Sequence, residues 1–563
     1  MSFNSTIKNL GRLREIIQVL VKYGFEDIVT NSTLRKFVPE SKRLTWLRDD
    51  KPVFEYTRWE RIRMVAEELG PTFVKLAQVL SIRPDLLPQP LIQELEKLQD
   101  NVPPFPYSEV RKIIKKETGN ELEDLFDDFQ ETVLASASIG QVHRAKLKTG
   151  EEVVVKVQRP DVRETVERDI AIMKEAVNMA DRYLQKQGIL NAQEIIKIFE
   201  RTMLKELDYN NEARNIEQFR NFYRSYRNFY IPKVFRKTST DKMLVIEYSS
   251  GCKINDVKQL REWGLDPKKI AENGINIYLT QIFEYGYFHA DPHPGNVFVR
   301  KDGVICLIDF GMVGRLMSRD KYAFAGVFIS LAQQDAKRMA SNLKKLAITD
   351  EIEDMRNFQY DINEIIEDYA YLDVSESNIG EMTASLQKLM YDYKISVPGS
   401  VFLIFRAFAI LEGIGKQVHP TFNTFEFIKP FGKKLIEDQF SAKNLVNEAS
   451  FRAEQVNDLL TAWPRDIKEI LGKIRKGKLH LEIEHQGYGY LLKKADSLTN
   501  RISFSLMISA LLVASAIVMS IPFPPNMISP SYGIPYLSVA GLYAAGGLFL
   551  LLIYSIIRRR KYK

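Results

Sequence analysis

The sequence is poor in cysteine. Cys252 and Cys306 are the only two among 563 residues, and they stand far apart with no metal-type spacing around them. That excludes a disulfide framework and fits a reducing compartment. The chain also lacks a strong bias of charge: 79 Lys and Arg face 72 Asp and Glu, a net +7. No basic stripe interleaved with aromatics stands out, so nucleic acid is not an expected partner. No period of roughly 20 to 50 residues repeats, which argues against a solenoid. The opening residues, MSFNSTIKNLGRLREIIQVL, scatter charges along their length and show no small-residue cleavage site, so a secretory signal is not expected.

What is abundant is apolar sequence near the C-terminus. Residues 502–521 form a run of 20 without a charge, and residues 536–557 a run of 22. Each is long enough for a helix to cross a hydrocarbon core of about 30 Å. Between them lies the uncharged, proline-rich PFPPNMISPSYGIP, which breaks a helix. Lys493, Lys494 and Arg501 precede the pair; Arg558, Arg559, Arg560, Lys561 and Lys563 follow it. The positive-inside rule then predicts two transmembrane helices with both ends in the cytoplasm. The rest of the chain would be cytosolic and anchored to the cytoplasmic (inner) membrane, with membrane lipids as neighbours. Small residues in AAGG (544–547) could pack one helix on another, within a chain or in a homodimer.

The remainder reads as helix, then strand, then helix. Residues 1–130 are expected to form a helical extension. Ile62, Val65, Leu69, Phe73 and Leu76 recur at three or four residues on one helical face, broken at Gly70-Pro71 where a new helix should begin. DNVPPFP (100–106) reads as a linker. From 131 the texture changes to ETVLASASIGQVHRAKL, a turn at KTGE, and EVVVKVQ, an antiparallel hairpin and its continuation. A helical stretch over about 163–225 leads to the strand-like FYIPKV and KMLVIEY, and SSGCKIND reads as a hinge. These segments define a small lobe over 131–250 and a helical lobe over 251–440. A linker region over 441–500, with a short strand at KLHLEIEH, precedes the membrane segment at 501–558.

One stretch concentrates reactive residues: YFHADPHPGNVFV, at 287–299. His289 and His293 have the four-residue spacing of a helical metal pair, but Pro292 and Pro294 forbid a regular helix there. The better match is a catalytic loop for phosphate chemistry, written H-R-D-x-x-x-x-N in protein kinases. His289, Asp291 and Asn296 reproduce that spacing with alanine in place of arginine, and Asp309-Phe310-Gly311 follows thirteen residues after Asn296. Upstream, VVVKVQ places Lys156 on the third strand of the small lobe, where a lysine would pair the α- and β-phosphates. Two ordinary kinase features are missing. ASASIGQVHRA stands where a G-x-G-x-x-G loop would cover the phosphates, and no A-P-E or long activation loop follows Asp309. A peptide-substrate platform is therefore not expected.

With KLAQ (75–78), SIRPDLLP, ASAS (135–138), VKVQRP, ELD (206–208), FHADPHPGN and DFG, the chain resembles the UbiB family of atypical kinases, also called ABC1, ADCK or AarF, over about residues 40–430. The resemblance implies an α+β fold: a two-lobed protein-kinase-like body with an antiparallel small lobe, a helical lobe, a helical N-terminal extension and the C-terminal helical hairpin. It implies that Lys75 and Gln78, matching a K-x-G-Q motif with Ala77 in place of glycine, fold over the nucleotide site. Glu206 and Asp208 match an E-x-D motif that contacts that lysine. Ala135, Ser136, Ala137 and Ser138 would take over nucleotide binding, a change the family links to a preference for ADP and weak autophosphorylation. Glu212 is expected to pair with Lys156, Glu206 being the alternative, and Glu247 to mark the interlobe hinge near the adenine.

The roles expected are Asp291 as catalytic aspartate, His289 as orienter of its loop, and Asn296 and Asp309 as ligands of Mg²⁺ on ATP or ADP. His293 carries no expected role. The resemblance implies an ATP-dependent kinase or ATPase supporting isoprenoid quinone (ubiquinone or a related quinone) biosynthesis, with quinone precursors and quinone-biosynthesis proteins as partners. The competing expectation is a non-catalytic, nucleotide-switched scaffold or lipid-extraction module. A true protein kinase is disfavoured by the missing activation segment.

Overall fold

The computed structural model of the chain describes residues 3–25, 47–48, 51–84, 86–98, 102–186, 191–348, 352, 354–370, 379–419, 422–439 and 488–560. They fall into two units, 1–448 and 449–563. The segment KLHLEIEH lies outside the described residues.

The first unit opens with helix α1 (Phe3–Lys22) and the pair α2 (Arg58–Leu69) and α3 (Pro71–Ser81). Thr57 starts α2 with a capping box: its hydroxyl accepts from the Glu60 N–H at 3.2 Å, and Glu60 Oε2 accepts from the Thr57 N–H at 2.7 Å. Gly70 takes φ +92°, a conformation that side chains resist, and Pro71 follows in the first turn of α3. The short α4 (Gln89–Leu95) packs beside them. Arg12 of α1 ties this extension to the body: its Nε donates to Asp169 Oδ1 at 3.0 Å and its Nη2 to the Leu69 carbonyl at 2.7 Å.

Helix α5 (Tyr107–Thr118) covers a four-stranded antiparallel sheet. Its strands are β1 (Phe126–Ser136), β2 (Gly140–Leu147), β3 (Glu152–Gln158) and, after the two-residue β4 (Phe229–Tyr230), β5 (Met243–Glu247), in the order β1-β2-β3-β5. Val153, Val155 and Val157 point into the α5 side and are fully buried, whereas Lys156 between them faces the other way, as a period of two requires. Strand β1 begins at Phe126, earlier than the sequence pattern suggested. Its register shifts between Phe126 and Asp128 and again between Phe129 and Val133, and these irregularities erase the alternation a reader looks for.

Three helices follow: α6 (Val162–Lys186), α7 (Ala192–Glu206) and α8 (Tyr209–Phe222). Ala77, Val79, Leu91 and Leu95 of the extension bury against Val166, Ile170, Phe199 and Met203 of α6 and α7, and against Ile139 of the hairpin turn. Each of these side chains except Ala77, fully buried, contributes roughly 1.5 to 3 kcal/mol.

The helical lobe is built on α9 (Pro267–Thr280), which starts with Asp266 as N-cap and Pro267 in the first turn. A π-helical turn over Gln281–Tyr285 ends α9 and delivers the chain to strand β7 (Tyr287–His289). Two-residue β6 (Cys252–Lys253), β8 (Val297–Val299) and β9 (Ile305–Leu307) join β4 in a second sheet, ordered β4-β9-β8-β6. Strand β10 (Val313–Arg315) pairs with β7. Helices α10 (Ser318–Ala332), α11 (Ala336–Leu346), α12 (Met355–Ala370), α13 (Ile379–Asp392), α14 (Gly399–Val418) and α15 (Thr424–Gln439) complete the lobe. Phe324, Phe328, Phe405 and Phe408 meet in its core.

The second unit contains α16 (Tyr488–Met519) and α17 (Tyr536–Arg560). They meet through small residues: Ser515, Ser538 and Ala545 are buried, and a Cβ on Gly541 would fall 2.2 Å from Ser515 Oγ. Among the described residues one stretch, Ile502–Met519, is long and apolar enough to cross a membrane, with mean hydropathy 2.3. The second apolar stretch, within α17, is described over Tyr536–Leu552.

Candidate active site

The loop from β7 is fixed by hydrogen bonds before it reaches Asp291. The buried His289 sits at their centre: its N–H donates to Gln281 Oε1 at 2.9 Å and its carbonyl accepts from the Tyr278 hydroxyl at 2.5 Å. Its Nδ1 faces the Asp291 N–H at 3.3 Å and its Nε2 the Asp309 carbonyl, so one neutral ring ties the loop to the D-F-G segment. Burial lowers the His289 pKa, which keeps the ring in that neutral form. His293 acquires a part that its sequence position did not reveal. Its Nδ1 accepts from the Gly295 N–H at 3.1 Å and its carbonyl from the Asn296 N–H at 2.8 Å, closing the turn. Asn296 commits its amide nitrogen to the Asp291 carbonyl at 3.1 Å, leaving its oxygen for the cleft.

Lys156 meets Glu212 at 2.5 Å and Asp309 Oδ2 at 3.4 Å. Glu212, in the first turn of α8, is thus the carboxylate against Lys156. Burial alone would depress the lysine, but the charges of Asp309 and Glu212 outweigh it and raise its pKa. Glu212 is itself raised, chiefly by burial, with Lys156 opposing. Asp309 resists burial and is drawn down to about 2, first by Lys156 and then by the Gly311 N–H, which donates to its Oδ1 at 2.9 Å. Two further bonds lock α8 to the D-F-G segment. Asn215, one turn after Glu212, donates to the Phe310 carbonyl at 2.9 Å, and the Tyr287 hydroxyl donates to Asn215 Oδ1 at 2.8 Å.

The turn between β1 and β2 is stapled rather than free. The Arg159 guanidinium donates to the carbonyls of Ala137 at 2.9 Å and Pro103 at 2.6 Å and to Ser136 Oγ at 2.9 Å. Ser136 in turn donates to the Val102 carbonyl at 2.9 Å. Gly140 closes the turn with no room to spare. A Cβ there would lie 2.4 Å from the Tyr209 hydroxyl and 2.5 Å from the Val157 carbonyl.

These groups surround one cleft. Its inner part, about 190 Å³, is lined by Ala135, Ser136, Ala137, Lys156, Glu206, Asp208, Tyr209, Glu212 and Asp309. A larger part, about 1290 Å³, is bounded by Lys75, Gln78, Ser138, Glu206, His289, Asp291, Asn296, Asp309 and Arg406. Lys75 forms an ion pair with Glu206, which carries α3 to the rim of the cleft. Asp208 departs from the expected pairing: its carboxylate is the N-cap of α8, accepting from the Asn210 N–H at 3.0 Å. Glu247 lines neither part. Its carboxylate accepts from the Tyr230 hydroxyl at 2.6 Å and the Lys233 N–H at 3.1 Å, and its own N–H is spent on the Lys233 carbonyl at 2.8 Å. An acid at the end of β5 thus spends its carboxylate on Tyr230 of β4 and on the backbone of Lys233.

Among the described residues no cluster of three or more His, Cys, Asp or Glu side chains could hold a metal ion by itself. The donors offered by Asn296 and Asp309 are one amide oxygen and one ionised carboxylate. That is the sparse oxygen set Mg²⁺ takes when phosphates and water supply the rest.

Sequence reading missed Arg159, Asn215, Tyr209 and Arg406. Asn215 had a signal, its i+3 spacing from Glu212, and Arg159 stands inside VKVQRP. Arg406 had none, because α14 follows the loop it faces by more than a hundred residues.

Comparison with known proteins agrees with this architecture. The ABC1 atypical kinase-like domain matches residues 97–343, the UbiB helical domain 362–423, and the ABC1/UbiB kinase-like C-terminal domain 486–558. The probable protein kinase UbiB of Actinobacillus pleuropneumoniae is 31% identical over 85% of this chain and 89% of its own. An uncharacterized protein in the hydrogenase 1 5′ region of Clostridium pasteurianum is 28% identical over 97% of this chain and 98% of its own. Among solved structures, the Mycobacterium tuberculosis Rv3197–erythromycin complex covers 66% of this chain and 94% of its own, at 24% identity and a TM-score of 0.44.

Proposed function

The chain belongs to the ABC1/UbiB family of atypical kinase-like proteins, and on that premise we propose that it is a membrane-anchored, Mg²⁺-dependent ATPase or small-molecule kinase. The observation that carries this reading is the convergence of Lys156, Glu212, Asp309, Asn296 and Asp291 on one cleft. Lys156, held charged by its two carboxylates, aligns the α- and β-phosphates of ATP. Asp309 and Asn296 hold Mg²⁺, which when bound neutralises phosphate charge. Asp291 takes the proton of the attacking hydroxyl or water as the new P–O bond forms and ADP leaves with the electrons of the broken one.

The rim formed by α3 and the six residues 312–317 between Gly311 and α10 leave little surface for a folded protein substrate. A small or lipid-like acceptor, or water, suits that cleft. Leu506, Leu537 and Leu550 are each about two-thirds exposed on α16 and α17, as lipid-facing side chains would be, which favours two spans in the cytoplasmic membrane with the body in the cytosol. The quinone pathway, its intermediates and its enzymes as partners are proposed on family membership alone. A second reading is favoured by the Lys75–Glu206 closure: a switch that binds nucleotide to organise a lipid-enzyme assembly without rapid turnover.

The deciding experiment is Mg²⁺-dependent nucleotide turnover by the full chain in detergent and in liposomes, for wild type and Asp309→Asn. Turnover that membranes stimulate and the substitution abolishes is expected. Tight binding without turnover in any lipid supports the switch, and absence of nucleotide binding by the wild type sinks both.

A further inference from the structure

Helix α14 shows the larger part of the cleft one face, made of Phe402, Phe405, Arg406, Ala409 and Ile410. Their spacing of three and four residues is that of a single helical stripe. Four of the five are apolar, and the one charge stands beside the loop aspartate. Arg406 Nη2 lies 3.7 Å from Asp291 Oδ1, beyond hydrogen-bond reach, and the arginine side chain is 41% exposed. A half-solvated pair at that distance holds neither partner firmly. Two other cations of the site are closely engaged: Lys156 contacts Glu212 at 2.5 Å, and Lys75 closes on Glu206. Arg406 therefore brings a planar fork of N–H donors beside Asp291, in the part of the cleft that Lys156 does not line, with Glu96 as the other carboxylate in its field and no tight carboxylate contact to either. Guanidinium forks match the oxygens of phosphate two at a time.

We propose that Arg406 is the anion-binding residue on the acceptor side of Asp291, where it takes a phosphate oxygen. This rests on the nucleotide reading given above. Two sources share that chemistry: the terminal phosphoryl group of the nucleotide, and a phosphate carried by the acceptor. In the first case the acceptor oxygen bonds to phosphorus while the bond to the bridging oxygen of ADP breaks. The electron pair leaves with ADP, the proton goes to Asp291, and Arg406 meets the charge spread over the non-bridging oxygens. In the second, Arg406 anchors the acceptor and orients its hydroxyl toward Asp291.

The test compares the full-length wild type, R406A and R406K in detergent for affinity to Mg-ATP and Mg-ADP, turnover, and inhibition of turnover by inorganic phosphate. Loss of a charge-assisted contact to the terminal phosphoryl group should weaken ATP by about tenfold or more in R406A while ADP stays near wild type. R406K, which keeps the charge and loses the fork, should fall between. Unchanged ATP and ADP affinities with lost inhibition by phosphate assign the residue to the acceptor's anion instead. Wild-type values in all four measurements overturn the proposal. So does an equal loss for ATP and ADP accompanied by a lower melting temperature, which is the mark of a structural role. A wild type that binds neither nucleotide overturns the nucleotide reading itself, and this inference with it.

Discussion

At the scale of single residues, the site depends on charges that cannot be removed one at a time. Glu212 and Lys156 are both largely buried, so Glu212→Gln leaves an ammonium with half its partners in a poorly solvated place. Leaving a buried charge without any partner costs about 3 to 5 kcal/mol, and Asp309 at 3.4 Å from Lys156 holds the loss below that. The expected result is a lower melting temperature together with weakened nucleotide binding, read by thermal unfolding with and without Mg-ATP. A second residue-scale prediction concerns acid. The fully buried His143 faces the Gln130 carbonyl at 2.9 Å and the Gln141 amide nitrogen at 3.0 Å, an arrangement that suits the neutral ring. Burial lowers its folded pKa below the ordinary value of about 6.5. The unfolded chain then binds the proton first, so this contribution is complete above about pH 6.5 and is lost as pH falls below it. His143→Asn should melt lower at neutral pH, with a profile between pH 7 and 5 flatter than wild type; parallel profiles would refute it. The legibility of such residues in the sequence followed their spacing along the chain. His289, Asp291, Asn296 and Asp309 lie within one loop and its exit, so distance in sequence is nearly distance in space. Asn215 and Arg406 reach the same place from other elements, and no local pattern reports that.

At the scale of elements, the small lobe is a hairpin whose turn has traded freedom for fixation. With Ala and Ser in place of glycines and Arg159 bonded to two carbonyls and a hydroxyl, the β1–β2 turn is held to the linker at Val102 and Pro103. Gly140→Ala would press a methyl group against the Tyr209 hydroxyl and the Val157 backbone. Overpacking of that kind costs roughly 1 to 3 kcal/mol. Denaturant unfolding should show the loss, and Mg-ATP affinity should fall with it, because Tyr209 and Gly140 line the inner cleft. If the variant unfolds like the wild type, the close approach is not real. The helix start at Pro71 was written in the chain as proline in a first turn. The start of β1 was not, since bulges near Asp128 and Val133 disturb the period of two. The part played by Asp208 was hidden for another reason: an acid two residues past another looks the same whether it caps a helix or receives a lysine.

At the scale of the whole molecule, the proposed membrane anchor rests on the apolar stretch Ile502–Met519. Leu512, near the middle of Ile502–Met519, is 45% exposed on α16. Leu512→Arg would place a charge at mid-membrane at a cost of about 2.5 to 3.5 kcal/mol. Fractionation of cells should then recover less of the chain with membranes; unchanged recovery would speak against a spanning role for α16. Within the first unit, strand β10 is already paired with β7 through Val313 opposite His289. Asn215 already holds the Phe310 carbonyl. Ordinary kinases are regulated by taking such contacts apart and rebuilding them. Here the working parts are held together by the fold, and Lys75 fastens α3 to Glu206 at the rim of the same cleft. On the proposed nucleotide reading, control would rest on admitting the cargo rather than on building the machine. A site that stays assembled keeps time by how long its guests remain.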